Sequence, residues 1–195
     1  MQGHRTRTAS IEVTDSLVDA ALALLEESGI ASLTVRAVAS RAGVAPMGVY
    51  SRFGSKDGLL EALFVHGFTG LETAIEPQPS PSPMNRLRTG CMGYREFAIN
   101  NPQMYHLMFE QMMLLELSPE AQDAAKRTFT LLIDRVQEAM NSGDLTAGNS
   151  VEVAQQLWSA MHGAVSLEIA GVHFAQDRRG NYASMIESLL VGLGN

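Results

Sequence analysis

Residues 33–63, LTVRAVASRAGVAPMGVYSRFGSKDGLLEAL, admit very few folds. Thr34 is placed to cap a short helix running to about Ala42, and Gly43 stops it. Pro46 opens another helix, because proline at the first helical position gives up no needed hydrogen bond. Val44 and Val49 fall at the two positions of a hydrophobic staple around that start. Ser55 can cap a longer helix that continues towards Glu76. Upstream, Ile11, Val18, Ala21, Leu22 and Leu25 recur at helical spacing, and Gly29 suits the stop, with Ile30 folding back onto the last turn. Ala39 is small enough for two helices to cross closely, and Gly43, four residues later, tolerates the positive φ of a tight turn. Residues 10–54 therefore have the pattern of a helix-turn-helix. Val35, Val38, Val44 and Val49 can pack against the first helix, which leaves Arg36, Arg41, Tyr50, Ser51 and Arg52 on the outside.

Charge is unevenly placed along this segment. The whole chain of 195 residues carries a formal charge of −7. Residues 12–33 hold five acidic side chains and no basic one, whereas residues 34–56 hold Arg36, Arg41, Arg52 and Lys56 and no acid. A basic segment in an acidic chain fits contact with a polyanion at one end of the molecule. Its charge alone fits a solvated basic face equally well. The N-terminus of the helix opened by Pro46 carries free N–H groups and a partial positive charge suited to a phosphate or a base edge. Met47 and Gly48 lie on that first turn, and Gly48 lets backbone approach closely. Tyr50 offers a hydroxyl to a phosphate oxygen, as do the hydroxyl and backbone N–H of Thr34 and the ammonium of Lys56. Arg5 and Arg7 are candidates for a minor-groove arm within residues 1–9, the alternative being a disordered tail.

The rest of the chain reads as helix. EPQPSPSP, residues 76–83, has four prolines and cannot continue one. Helical patterns resume at about 84–100, 102–116, 119–141, 150–175 and 180–193. No strand-like alternation lasts, and no repeat is present. The expected fold is all-α, with about nine helices. It comprises a three-helix DNA-binding domain over 1–54, a connecting helix over 55–76 and a C-terminal helical bundle over 77–195. No apolar run approaches the ~20 residues that span a bilayer. Residues 1–13 have no apolar stretch of the kind a signal peptide needs. The single cysteine, Cys91, cannot form an internal disulfide, which fits a reducing cytoplasm.

LTVRAVASRAGV, then VY followed by FGSKDGLLEAL, with AALALLEESGI upstream, resembles the DNA-binding domain of the TetR family of bacterial transcriptional regulators. The resemblance covers about residues 10–63. It implies contact with double-stranded DNA, in a palindromic operator, by Thr34, Val35, Arg36, Ala45, Pro46, Met47, Gly48, Tyr50, Ser51, Arg52 and Lys56. Three positions depart from the family pattern. Val49 stands where leucine is frequent, Arg52 where histidine is frequent, and Ala45 where a small hydroxyl residue is common. Val49 is a buried apolar exchange, whereas Ala45 removes a side-chain cap, worth about 1 kcal/mol. LWSAMHGAVSLEIAG, residues 157–171, resembles the Trp-His-Gly motif of one C-terminal subfamily, and NPQMYHLMFE, residues 101–110, a second segment of it. That resemblance implies a ligand-binding and dimerisation domain, with the last two long helices forming a four-helix bundle across a two-fold axis.

Six of the eleven methionines lie within residues 84–113, interleaved with Tyr94, Phe97, Tyr105 and Phe109. Methionine adapts to irregular apolar shapes, so the segment reads either as a Met-rich core or as the lining of a pocket for a small apolar effector. Phe97, Met104, Tyr105, Met108, Phe109, Met112, Trp158 and His162 are the candidate ligand-binding residues. The stripe Ala154, Trp158, Met161, Val165 and Ile169, with Ala160, Gly163, Ala164 and Gly171 as small residues, suits either an intramolecular core or a homodimer interface. His162 reads best as a polar helix-packing contact beside Trp158. On one helix, His162 and His173 would stand ~16 Å apart, too far to share an ion. His106 and Glu110 could supply two metal ligands but no more are apparent. No metal or cofactor is therefore expected. No G-x-S-x-G, glycine-rich phosphate loop, H-E-x-x-H or C-x-x-C is present, and no enzymatic activity is expected.

Overall fold

The computed structural model describes residues 3–76, 82–111 and 116–194, with side chains described from residue 12 onward and not at 111. Among the described residues there are nine α-helices and no strand, and no helix is long and apolar enough to cross a membrane. The chain forms two compact units. The first comprises Met1–Gly67 and Gln103–Gln122, and the second Phe68–Pro102 and Asp123–Asn195. Compactness thus groups the chain differently from boundaries drawn in sequence order at 54 and 76.

In the first unit, α1 runs Gly3–Ser28, α2 Val35–Arg41, α3 Pro46–Phe53, and α4 begins at Lys56 and extends to Ile75. Helix α1 starts well before residue 10. Its backbone is helical at Arg5 and Arg7, whose side chains lie outside the described residues. Leu17, Ala21 and Leu25 share one helical face and are fully or almost fully buried, at 0%, 0% and 1% exposure. Helices α2 and α3 pack on α1, and their Val38, Ala39 and Val49 are all at 0%. Helix α6, Pro102–His106, continues as a π-turn over Leu107–Gln111, a wider winding with one extra residue. The helix expected to run to 116 therefore leaves α-geometry after His106.

The second unit holds α5 (Pro83–Asn100), α7 (Pro119–Asn141, most of its length), α8 (Ser150–Ile169) and α9 (Arg178–Leu193). Ser82, Asn149 and Asp177 cap α5, α8 and α9 by accepting backbone N–H bonds. Helix α8 stops six residues short of the expected 175. Gly171 takes φ 73°, the N–H of Val172 donates to the carbonyl of Leu167, and the N–H of Gly171 to that of Glu168. This is a Schellman ending, which needs a left-handed residue and satisfies the last carbonyls. Gly171 accordingly serves as a helix stop, and His173 lies beyond α8 instead of sharing a face with His162.

Candidate nucleic-acid interface

The α2–α3 turn follows from local chemistry. The Thr34 hydroxyl accepts the N–H of Ala37 at 3.2 Å and so fixes where α2 begins. At the other end Gly43 has φ 68°, with Val44 N–H donating to Ala39 at 2.9 Å and Gly43 N–H to Ser40 at 3.2 Å. A second Schellman ending thus makes the turn. Helix α3 starts at Ala45 with no side-chain cap, as its sequence leads one to expect, and its first turn leaves N–H groups unsatisfied by side chains. Ser55 then accepts the N–H of Gly58 at 3.0 Å to start α4.

Burying Val38, Ala39 and Val49 turns a polar face outward. Thr34, Arg36, Ala45, Pro46, Tyr50, Ser51, Arg52 and Lys56 are exposed, and Val35 and Gly48 are half-buried. Met47 is 71% exposed and Tyr50 48%. The Ser51 hydroxyl donates back to the carbonyl of Gly48 at 3.0 Å. Among the described residues Arg36, Arg52 and Lys56 form no ion pair.

Arg41 lies on the outside, as expected, but it is engaged there. Its guanidinium forks onto Glu27 at the end of α1, with bonds of 2.7 and 2.5 Å. The hydrogen bond and charge of Arg41 lower the Glu27 pKa, and Glu27 raises that of Arg41 by the same contact. The fourth cation of the basic segment ties α2 to α1. Glu27 offered no sequence signal for this, since the two lie fourteen residues apart on different helices.

The candidate ligand-binding residues fall into both units. In the first, Met104, Tyr105 and Met108 are buried at 7%, 3% and 2%, and Phe109 packs on Tyr105 with ring centroids 4.7 Å apart. Met112 lies outside the described residues. In the second, Phe97, Trp158 and His162 are half-buried. Trp158 stands between Phe129 and His162, at 5.8 Å from each ring, and the Tyr94 hydroxyl lies 3.2 Å from His162 Nδ1. The expected polar packing of His162 beside Trp158 is present, with Tyr94 of α5 as its partner. Phe129 was not singled out in the sequence, because nothing in its own helix marks it as facing Trp158. The same unit buries an ion pair that spacing did not reveal. Arg95 donates to both oxygens of Glu168 at 2.9 and 2.6 Å, with its guanidinium 5.9 Å from the Tyr182 ring centre. The Tyr182 hydroxyl donates to the carbonyl of Cys91 at 2.9 Å. Burial pushes the Cys91 thiol up to about 12, so it stays protonated and inert.

Comparison with known proteins agrees with this architecture. Residues 17–63 match the model of bacterial regulatory proteins of the tetR family, and residues 87–190 that of the tetracyclin repressor-like C-terminal domain. An uncharacterised HTH-type transcriptional regulator of Mycobacterium tuberculosis is 26% identical over 180 residues, covering 92% of this chain and 80% of that protein. A Rhodococcus sp. RHA1 protein of unknown function superposes with a TM-score of 0.85 at 22% identity, covering 94% of this chain and 96% of that one. A tetR-family bacterial regulatory protein from Rhodococcus RHA1 superposes with a TM-score of 0.71 at 20% identity, covering 93% and 97%. The two family models together span the turn, the exposed α3 and most of the C-terminal helices, and this chain belongs to the TetR family of transcriptional regulators, with a helix-turn-helix DNA-binding domain.

Proposed function

We propose that this regulator is a homodimeric repressor that binds a palindromic operator through α3 and is released by a small hydrophobic effector. The observation that carries the DNA contact is the exposed face of α3, with Met47 and Tyr50 in water, together with exposed Arg36, Arg52 and Lys56, which form no ion pair among the described residues. Thr34, Lys56 and Tyr50 would position the protein on phosphates. Met47, Ser51 and Arg52 would approach base edges, with Ala45, Pro46 and Gly48 admitting the backbone and Val35 supporting the face from α2. Two copies related by a two-fold axis would read half-sites one helical turn or more apart. Exposed Leu167 on α8 and Val191 on α9, at 54% and 75%, support the last two helices as the dimer contact.

For the effector, the resemblance of residues 157–171 to a Trp-His-Gly subfamily supports Phe97, Trp158 and His162 as anchors. An effector acts only through its difference in affinity for the two dimer states, and α4, continuous from Lys56 to Ile75, would carry the change. A regulator without a small-molecule ligand is the second reading. The observation that favours it is the burial of Met104, Tyr105 and Met108, which makes core of residues whose composition suits a pocket.

Selection of binding sites from a random double-stranded DNA pool tests the DNA reading, with Tyr50→Ala protein as control. Enrichment of a palindrome that is lost in Tyr50→Ala supports it. No enrichment even at low salt, where phosphate contacts are strongest, sinks it. Screening small apolar compounds for release of the recovered operator then separates the two readings of the C-terminal domain.

A further inference from the structure

The methionine segment has a second use, visible from where its sulfurs sit. Gly67 is buried within α4, and a β-carbon placed on it would meet Met108 Sδ at 2.6 Å, Met104 Sδ at 2.7 Å and Met108 Cγ at 2.9 Å. A side chain there would fit only if both thioethers moved, so the two sulfurs occupy the space that any other residue would claim. Glycine inside a helix lowers its stability, and its presence points to a packing reason. Methionine suits the notch, since it is unbranched and fills irregular gaps. Residues 103–122 touch the DNA-reading part of the chain at two further places. Gln103 Oε1 lies 3.2 Å from where a β-carbon of Gly29 would stand, at the end of α1. The N–H of Ser118 donates to Glu61 Oε1 on α4 at 3.3 Å. These residues and residues 1–67 form one compact unit. At its start α4 abuts α3 directly, because a β-carbon on Gly58 would collide with the carbonyl oxygen of Phe53.

We propose that Met104 and Met108 are positioning residues for DNA recognition, their thioethers seated on Gly67 and holding the first half of α4, and through it α3, in place. The proposal rests on the DNA-binding reading above, and it assigns these two methionines to the reading unit instead of to an effector site. The DNA-reading unit is then discontinuous in sequence, with contacts from Gln103, Met104, Met108 and Ser118 completing it.

The test uses the full chain and the operator recovered by selection, together with operators whose half-site separation is changed by one base pair. Gly67→Ala drives a methyl group into both sulfurs. Overpacking of this kind is expected to weaken operator binding about tenfold or to move the preferred separation, with helical content retained. Adding Met108→Ala removes two of the three colliding atoms and is expected to restore affinity to within about threefold of wild type. Met108→Leu nearly conserves volume and supplies a second folded variant. Its branched side chain at the notch is expected to weaken binding about threefold at an unchanged thermal midpoint. Wild-type affinity and separation in both Gly67→Ala and Met108→Leu overturn the proposal, as does a Gly67→Ala defect that Met108→Ala leaves untouched. Wild-type protein that enriches no DNA overturns the underlying DNA reading, and the proposal with it.

Discussion

In the unit that carries α2 and α3, Arg36, Arg52 and Lys56 stand on the surface with no ion pair among the described residues, and of the four cations of residues 34–56 Arg41 alone is tied, to Glu27. In the other unit Arg86, Arg88, Arg95, Arg135 and Arg179 each meet a carboxylate, at 2.6 to 3.0 Å. The difference fits the proposed DNA contact, although Arg178 of the second unit also forms no ion pair among the described residues. A guanidinium committed to a carboxylate has little left to offer a phosphate, whereas a free one gains by displacing counterions from DNA. Exposed ion pairs add little stability, so the first unit loses little by leaving its cations unpaired. Arg95 has no such freedom, because it is 7% exposed and a buried lone charge is costly.

The largest effect that could break this comparison is in the second unit. Arg95→Ala leaves Glu168 buried without its partner and is expected to cost about 3–5 kcal/mol in denaturant unfolding, whereas Arg95→Met with Glu168→Leu is expected to be near neutral. A cost for Arg95→Ala below about 1 kcal/mol would show that the buried pair is no more binding than a surface one. In the first unit the effect should fall on DNA and spare stability. Arg36→Ala is expected to weaken operator binding by about 1–2 kcal/mol and to reduce the salt slope by about one, at an unchanged thermal midpoint. A shifted midpoint would mean that Arg36 serves the fold after all.

A smaller effect concerns Glu138. Burial alone would raise its pKa, but hydrogen bonds from Arg86 and Arg135 outweigh this and lower it from 4.5. A depressed folded pKa means that the stabilisation is present above 4.5 and is lost as pH falls through the lower folded value. Glu138→Gln should therefore be less stable than wild type at neutral pH, with the two unfolding midpoints converging in acid. A gap that stays constant with pH would assign the loss to packing. The smallest effect is expected at Glu27. Glu27→Gln should lower the thermal midpoint slightly at low salt and by less in about 1 M salt, where the ~3 Å screening length is comparable with the contact distance. A salt-independent loss would show that the Arg41 fork works through hydrogen bonding and not through charge.

Much of the reading unit was legible because its signals are local. Thr34, Gly43, Pro46 and Ser55 each act on backbone groups within a few residues, so caps and stops can be read one helix at a time. The apolar positions of α2 and α3 likewise settle which face is buried, and hence which face Met47 and Tyr50 present to solvent. The end of α8 was misjudged because Gly171 suits either close helix packing or a left-handed stop, and only its φ of 73° decides between them. Arg41 is an outward cation, as read, but its pairing with Glu27 was not legible because that partner lies on another helix.

By itself the sequence determined an all-helical chain, the position of the turn, the exposed face of α3 and the family to which the chain belongs. The first three follow from spacing and from residues whose effect reaches no further than a helical turn, and the family from the resemblance of the motifs. Tertiary structure alone decided that Arg41 is spent on Glu27, that Arg95 and Glu168 are buried together, and that Met104 and Met108 rest on Gly67. Those pairs lie 14 to 73 residues apart, and no periodicity within one helix can state which residue of another helix will meet it.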